Sequence, residues 1–409
     1  MNVSIQGQAE PVARRLRELR GPAPQRSLDA RALAALAANP GCRRRAVLDA
    51  AGVDKRAVAE RLGRPAPFGQ SPFAITRGNV FEARLKDDSY AALLAPLRAR
   101  LGLPPEGSPL TVPDLLPRSA PATRADRTRQ VLAEAAADLD GWTLLDHPML
   151  RLTVAGTPAY LEPDAVLVHG GRCTVVEIKS FPVIDGSADP AKVGAAARQA
   201  AVYVLALQQA AAELAGVTVD QSPYGQQQLP GSPELSVLLV CPKDFSNRPT
   251  ASSVDVRREL SVTRRQLARL TRIEELLEAL PSGTSFDLAP DQAGVPTRPV
   301  AELGSAVEAV PASYGPDCLA ACELGFLCRS QARTSGAVEQ LGRGVRGELG
   351  TLRTVEEALA AAEKGSPDGT DEAAVRLAHA AALRTEALCA AGSAGAAGAT
   401  GTGTREAAR

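Results

Sequence analysis

Aromatic residues make up only 3% of this 409-residue chain, with one tryptophan, five tyrosines and seven phenylalanines. Ala, Arg, Gly and Pro abound instead, so helix boundaries must be read from breakers rather than from apolar stripes. Net charge is also missing: 46 Lys and Arg balance 46 Asp and Glu. That excludes a uniformly basic coat for gripping nucleic acid, because neutralising phosphates takes a surplus of cations. Charge is local, however, and basic runs occur at Arg14, Arg15, Arg17, Arg20, Arg26 and Arg31, at Arg43–Arg45, and at Arg257, Arg258, Arg264, Arg265, Arg269 and Arg272. Any of them can track a phosphate backbone or simply be a solvated helix face. No apolar run is long enough to span a bilayer, and residues 1–10 lack an apolar secretion core. A cytoplasmic protein without a membrane partner is therefore expected. There is no Walker-type phosphate loop, no helicase motif and no internal repeat, so any motor is expected to be a separate partner. Seven cysteines are an odd count, which argues against a disulfide framework.

What is present begins with Glu162-Pro163-Asp164 and ends with Glu177-Ile178-Lys179. Between them lie two apolar, β-branched runs, Ala165–Val168 and Cys173–Val176, joined by His169-Gly170-Gly171-Arg172. That pattern predicts a β-hairpin. A hairpin brings Asp164 beside Glu177, and Lys179, two residues on, points to the same face as Glu177. Two carboxylates suit a hard cation such as Mg²⁺ or Mn²⁺, which polarises a phosphate and acidifies a bound water. A neighbouring lysine orients that water or neutralises developing charge. Downstream, Gln199 and Tyr203 share one face of an Ala-rich helix predicted within Ala191–Leu214. Cys318, Cys322 and Cys328 fall within eleven residues and can converge on one soft metal centre. Cys42, in Asn39-Pro40-Gly41-Cys42, is the best candidate for a fourth ligand. Buried thiols are expected at Cys173, Cys241 and Cys389.

The pairing of Pro163-Asp164 with Glu177-Ile178-Lys179 resembles the PD-(D/E)xK nuclease superfamily. Gln199 and Tyr203 resemble the QxxxY motif of its RecB-type members. The distant Cys42 with a C-terminal trio is similar to iron–sulfur nucleases of the AddB type and to the RecB-like exonucleases associated with CRISPR adaptation. In those families four cysteines hold a [4Fe–4S] cluster; the spacing here, C-x3-C, is one residue longer than theirs, and zinc is the alternative metal. Arg77–Glu82 resembles the first motif of these nucleases, with glutamate at Glu82 where RecB-like relatives often carry histidine. The resemblance implies an α/β, restriction-endonuclease-like fold: a mixed central sheet flanked by helices, with helical N- and C-terminal additions stapled by the cluster.

It also implies a metal-dependent DNA nuclease, an exonuclease or an end- and flap-processing enzyme, in bacterial repair, recombination or phage defence. Asp164, Glu177 and Glu82 would hold Mg²⁺ or Mn²⁺, Lys179 would position the water, and Gln199 and Tyr203 would orient the strand. The partners implied are single-stranded DNA or DNA ends, and a helicase or defence-system protein. The alternative is a catalytically weak nuclease fold that binds DNA or scaffolds a helicase.

Four regions are expected. Residues 1–123 form a helical region carrying Cys42 and Glu82, and residues 124–335 the nuclease core ending in the cysteine trio. Residues 336–391 form C-terminal helices and residues 392–409 a disordered tail. Ser27 is the expected N-cap of a helix over Leu28–Ala38, and a further helix is predicted over Arg43–Ala51. Core strands are predicted over Thr143–Val154, Ala159–Val168, Thr174–Phe181 and Leu235–Cys241. A long helix is predicted over Asp255–Leu280, and an irregular stretch over 281–312.

Overall fold

The structure, a computed structural model, describes residues 3–65, 72–102, 110–154, 157–217, 229–269, 273–315, 318–336, 338, 343–367 and 369–398. The chain divides into two compact units, Met1–Ala312 with Ala321–Leu324, and Ser313–Ala320 with Gly325–Arg409.

The first unit opens with four helices, α1 (Val3–Arg20), α2 (Ala30–Ala38), α3 (Arg43–Ala51) and α4 (Lys55–Arg61). Asp29, not Ser27, caps α2: its carboxylate accepts the Ala32 N–H at 2.7 Å, satisfying one of the open donors of the first turn. Then come α5 (Pro72–Leu101) and α6 (Pro121–Ala137), followed by β1 (Thr143–Asp146), β2 (Leu150–Val154), β3 (Thr157–Leu161), β4 (Ala165–His169) and β5 (Arg172–Ile178). Helix α7 (Pro190–Leu214) precedes β6 (Ser232–Pro233), β7 (Ser236–Lys243) and β8 (Arg248–Asp255), and α8 (Arg257–Arg269), α9 (Ile273–Glu278) and α10 (Val300–Glu308) complete the unit.

The central sheet is mixed, ordered β1-β4-β5-β7-β8 with β6 also on β5; β2 and β3 form a separate ribbon. The β4–β5 hairpin closes at His169↔Arg172. Gly170 and Gly171 both adopt left-handed φ, 57° and 73°, the backbone a two-residue type I′ turn demands. Strand β7 adds parallel to β5, and β8 antiparallel to β7. Strands β4 and β5 are apolar on both faces because both faces are covered. On one side Val166, Val168, Cys173 and Val175 pack with residues of α2, α6 and α7. On the other, Ala165, Leu167, Val176 and Ile178 pack with Phe81, Leu85, Leu93 and Leu97 of α5. The sheet is thus the middle of three layers.

Several expectations change. Thr143–Val154 is two strands in two sheets, broken at His147, whose φ is +45°. Ala159–Val168 is likewise divided, at Glu162-Pro163-Asp164. Arg248–Asp255 forms an edge strand, so Asp255 closes β8 rather than opening a helix. Residues 281–312 contain α10.

The second unit holds α12 (Gly325–Thr334), preceded by the short α11 (Cys318–Ala321), then α13 (Arg343–Glu348), α14 (Val355–Lys364) and α15 (Glu372–Gly398). Thr354 and Glu357 form a reciprocal capping box at the start of α14. Helix α15 continues through Gly392–Gly398, and residues 399–409 lie outside the described residues.

Candidate active site

The hairpin register sets the first half of the site. Ala165 pairs with Val176, so Asp164 and Glu177 are the residues next to that pair. The Asp164 carboxylate accepts the Ile178 backbone N–H at 2.6 Å, which fixes it across the end of β5. Glu177 alternates with Val175 onto the face covered by α7. Its side chain is only 1% exposed, and neither carboxylate oxygen accepts a well-directed hydrogen bond from a described residue. The Lys179 ammonium lies against Glu177 Oε1 as an ion pair, while the Lys179 backbone N–H bonds to Val240 O at 2.9 Å and ties the strand end to β7.

Burial dominates the electrostatics. It pushes the Glu177 carboxyl up to about 7; Lys179 opposes that shift and Asp164 adds to it. Burial likewise raises Asp164, against the pull of Lys179 and the Ile178 N–H. For Lys179 burial works against the charged form, but Glu177 and Asp164 together outweigh it and the ammonium is held more firmly than usual.

The second half comes from α5. Gly78 lies near Ser180, where an added Cβ would be 3.8 Å from the hydroxyl. One helical turn on, Glu82 Oε1 meets both the Lys86 ammonium, at 2.6 Å, and His147 Nε2, at 3.0 Å. Hydrogen bonding from His147, helped by Lys86 and opposed by burial, holds the Glu82 carboxyl at about 2. Lys86 also lies 2.6 Å from Asp146 Oδ1 and 2.7 Å from His147 Nε2. Directly after Lys86 the helix breaks: Asp88, Ser89 and Tyr90 adopt φ of 46°, 53° and 64°. Non-glycine residues pay roughly 1–2 kcal/mol each for that region, and the break brings the Tyr90 hydroxyl to Asp146 Oδ2 at 3.0 Å. Arg124 of α6 donates to Glu162 Oε1 at 2.6 Å and to the His147 carbonyl at 3.0 Å, joining the two strand breaks.

Glu82 affects the strand-end acids, since its charge raises both Asp164 and Glu177. On α7, Gln199 Nε2 donates to the Tyr203 hydroxyl at 2.9 Å, which donates to the Glu162 carbonyl at 3.2 Å. Burial, with the Glu177 charge, raises the Tyr203 phenol well above its ordinary value, so it stays neutral. The structure therefore gathers Glu82, Asp164, Glu177, Lys179, Gln199 and Tyr203 at one end of the sheet. It adds Lys86, Asp146 and His147, which motif reading did not single out, and Glu162, which precedes the Pro163-Asp164 motif. Two signals for them are in the chain: the four-residue spacing of Glu82 and Lys86, and Pro148, which ends a strand at Asp146-His147.

The cysteines are placed unit by unit. In the first unit Cys42 stands at the N-cap of α3, and Cys322 is buried near Arg45. In the second unit Cys318 Sγ accepts the Gly315 N–H at 3.4 Å, and Cys328 is buried in α12. A Cβ at Gly325 would come within 2.7 Å of the Cys318 carbonyl, so only glycine allows that approach. Cys173 and Cys241 are buried in the sheet and burial pushes each thiol up to about 12; Cys389, contrary to expectation, is exposed.

Arg44 and Arg45 are buried and cannot track a phosphate backbone: Arg44 Nε donates to Val310 O at 3.0 Å and Arg45 Nη1 to Ala321 O at 2.7 Å. Arg272 lies outside the described residues.

Among the described residues no group of three or more His, Cys, Asp and Glu side chains is arranged to hold a metal ion. No protein-family model matches the chain, and no curated protein matches it.

Proposed function

We propose that this protein is a metal-dependent DNA nuclease, acting on ends, flaps or single strands. The observation that carries this reading is Glu177: a buried carboxylate with two oxygens lacking directed hydrogen bonds, beside Asp164 and in contact with Lys179. Buried acids ordinarily find enough partners or stay protonated. Here the surplus negative charge fits a hard divalent cation, and Asp164 and Glu177 are the residues that would hold Mg²⁺ or Mn²⁺, with Glu82 as helper. Bound there, the ion supplies neutralisation of the scissile phosphate and a more acidic water.

The remaining work falls to the chain. Lys179, one quarter exposed at its side chain, orients the attacking water and shields developing charge on the phosphate. Tyr203 and Gln199, pinned to the Glu162 carbonyl, position the strand. The [4Fe–4S] cluster at Cys42, Cys318, Cys322 and Cys328 belongs to the same proposal and rests on the sequence resemblance. Iron and labile sulfide in anaerobically purified protein support it, and zinc in their place replaces it. Action in bacterial repair, recombination or phage defence, beside a helicase, follows from that resemblance alone.

The test is degradation of end-labelled single- and double-stranded DNA with Mn²⁺ or Mg²⁺. Wild type should cleave, and Lys179→Ala should lose about two to four orders of magnitude, the range for removing one positioned proton-transfer or oxyanion group. Folded wild type that does not cleave would favour a DNA-binding scaffold.

A further inference from the structure

The hairpin joining β7 to β8 turns through Asp244-Phe245-Ser246-Asn247 and holds an aromatic ring out in solvent. Phe245 is 83% exposed, the most exposed of the large apolar side chains among the described residues, in a chain with few aromatics. Leaving such a ring in water forgoes the gain of burying it, yet the turn around it is braced. Ser246 Oγ donates to the Lys243 carbonyl at 2.7 Å and accepts the Arg248 N–H at 3.3 Å. The Asp244 N–H bonds to Val183 O at 2.8 Å, tying the turn to the segment that follows Lys179. Asp244 and Asn247 take left-handed φ of 55° and 57°, a backbone that Asp and Asn tolerate better than most residues.

The place of this turn matters as much as its ring. Strand β7 runs parallel to β5, with Glu177 opposite Leu239 and Ile178 opposite Val240, so both strands end at the same edge of the sheet. Lys243 alternates with Leu239 and Cys241. Those two pack with Ala196 of α7, on the face that carries Glu177 and Lys179. Arg248 is the cross-hairpin partner of Lys243 and shares that face. Lys243 and Arg248 are exposed, and neither forms an ion pair with a described acid, Asp244 of the turn included. Strand geometry puts Lys243 roughly 7 Å beyond Cys241, about two nucleotide steps along a strand. Two unpaired cations and a bare ring thus stand in line with the candidate active site. The ring's neighbours in the turn are too polar for an apolar protein-docking patch, whereas cations beside an aromatic face suit a single-stranded nucleic acid.

We propose that the β7–β8 tip is a single-strand clamp. Phe245 stacks on an unpaired base, and Lys243 and Arg248 take phosphates of the same strand. Its leading that strand toward Glu177 and Lys179 rests on the nuclease reading; the binding does not. A blunt duplex, whose bases are already stacked on one another, offers the ring no open face.

The experiment measures binding of the full chain to a labelled oligo(dT) strand and to a blunt duplex of equal length, by anisotropy in chelator so that nothing is cut. Phe245→Ala should weaken single-strand binding about five- to a hundredfold, the range for losing one stacked base, and leave duplex binding unchanged. Lys243→Ala with Arg248→Ala should flatten the slope of log affinity against log salt by about 1.4, or about 0.7 per phosphate. Phe245→Trp should keep the affinity and show fluorescence quenching by the single strand. The native Trp142, stacked on His169 at the opposite end of the sheet, gives the wild-type background. Equal single-strand binding by wild type and Phe245→Ala overturns the proposal, as does an equal loss on both DNAs or an unquenched Phe245→Trp. A wild type that binds no oligonucleotide also overturns it and leaves the tip to a protein partner. Should Phe245→Ala fail to fold, the quenching of Phe245→Trp decides. Phe245-dependent binding by a wild type that does not cut DNA in Mn²⁺ sustains the clamp and fails the nuclease reading. Cleavage by a wild type whose binding does not depend on Phe245 does the reverse.

Discussion

Two regions of the first unit bury charge, and they do so in opposite ways. Between α3 and α4, Arg45 and Lys55 both bond to Asp49, Arg45 Nε at 3.0 Å on Oδ2 and Lys55 on Oδ1. Lys55 also faces Glu323 at 3.9 Å, and Arg45 spends a further N–H on the Ala321 carbonyl. Two cations meet two acids, and the central carboxylate has both oxygens hydrogen-bonded. At the end of the sheet four carboxylates, Glu82, Asp146, Asp164 and Glu177, share the ammonium groups of Lys86 and Lys179 with His147. The first cluster balances its charges, although Glu323 Oε2 accepts no directed hydrogen bond from a described residue, and it holds the Ala321–Leu324 segment against α3. The second carries surplus negative charge, and its acids are pushed apart, Glu82 down to about 2 and Glu177 up to about 7. Burial alone therefore does not mark a functional site. Burial with charge left over does.

The sharpest way to break the comparison is to open the balanced cluster. Asp49→Ala leaves Arg45 and Lys55 buried without their shared partner, and breaking a buried pair typically costs about 3–5 kcal/mol. Denaturant unfolding should show that loss, while the number of bound Mn²⁺ ions per folded chain should not change. A shift below about 1 kcal/mol would place this cluster among exposed ion pairs.

The next test removes the surplus instead. In the metal-free protein Glu177 titrates near 7, against an ordinary 4.5. Its folded form thus holds the proton more tightly than the unfolded chain does. The stability it contributes is complete below pH 4.5 and is lost as pH rises to about 7, by roughly 3 kcal/mol if the full shift is counted. Glu82 has the opposite sign: its contribution is present above 4.5 and is lost only as pH falls toward 2. The two windows do not overlap. Glu177→Gln should remove the decline between pH 4.5 and 7 and abolish stabilisation by Mn²⁺. Parallel pH–stability profiles for the mutant and the metal-free wild type would show that Glu177 carries no uncompensated charge.

How much of this was legible in the chain depends on local chemistry. The β4–β5 hairpin was, because Gly170-Gly171 between two apolar runs fixes both turn and register, and the register then places Asp164 by Glu177. The helical face shared by Gln199 and Tyr203 was equally plain. The Lys86–Asp146–His147 cluster was not. Thr143–Val154 reads as one strand until the left-handed backbone at His147 breaks it. Strand β8 was missed because its sequence, RPTASSVD, is polar, and its pairing with β7 supplies what its side chains do not. Arg44 and Arg45 read as a solvated run, since nothing local foretells that Val310 and Ala321, far along the chain, will cover them.

The smallest effect belongs to Tyr203, which lies between the two kinds of region: buried and hydrogen-bonded like Asp49, yet facing the acids. Its hydroxyl accepts from Gln199 and donates to the Glu162 carbonyl. Tyr203→Phe removes both bonds and keeps the ring, so the stability loss should be about 2 kcal/mol, the usual net worth of two such bonds. If the hydroxyl only braces the strand break at Glu162, the mutant's sole defect is that lower midpoint, with kcat, KM and the Mn²⁺ count unchanged. If it also positions the DNA strand, KM rises several-fold while kcat and the Mn²⁺ count hold, because the acids and Lys179 stay in place. A fall in kcat at constant KM would instead put the hydroxyl against the reacting phosphate, and would move Tyr203 from positioning the strand into the chemistry at Glu177.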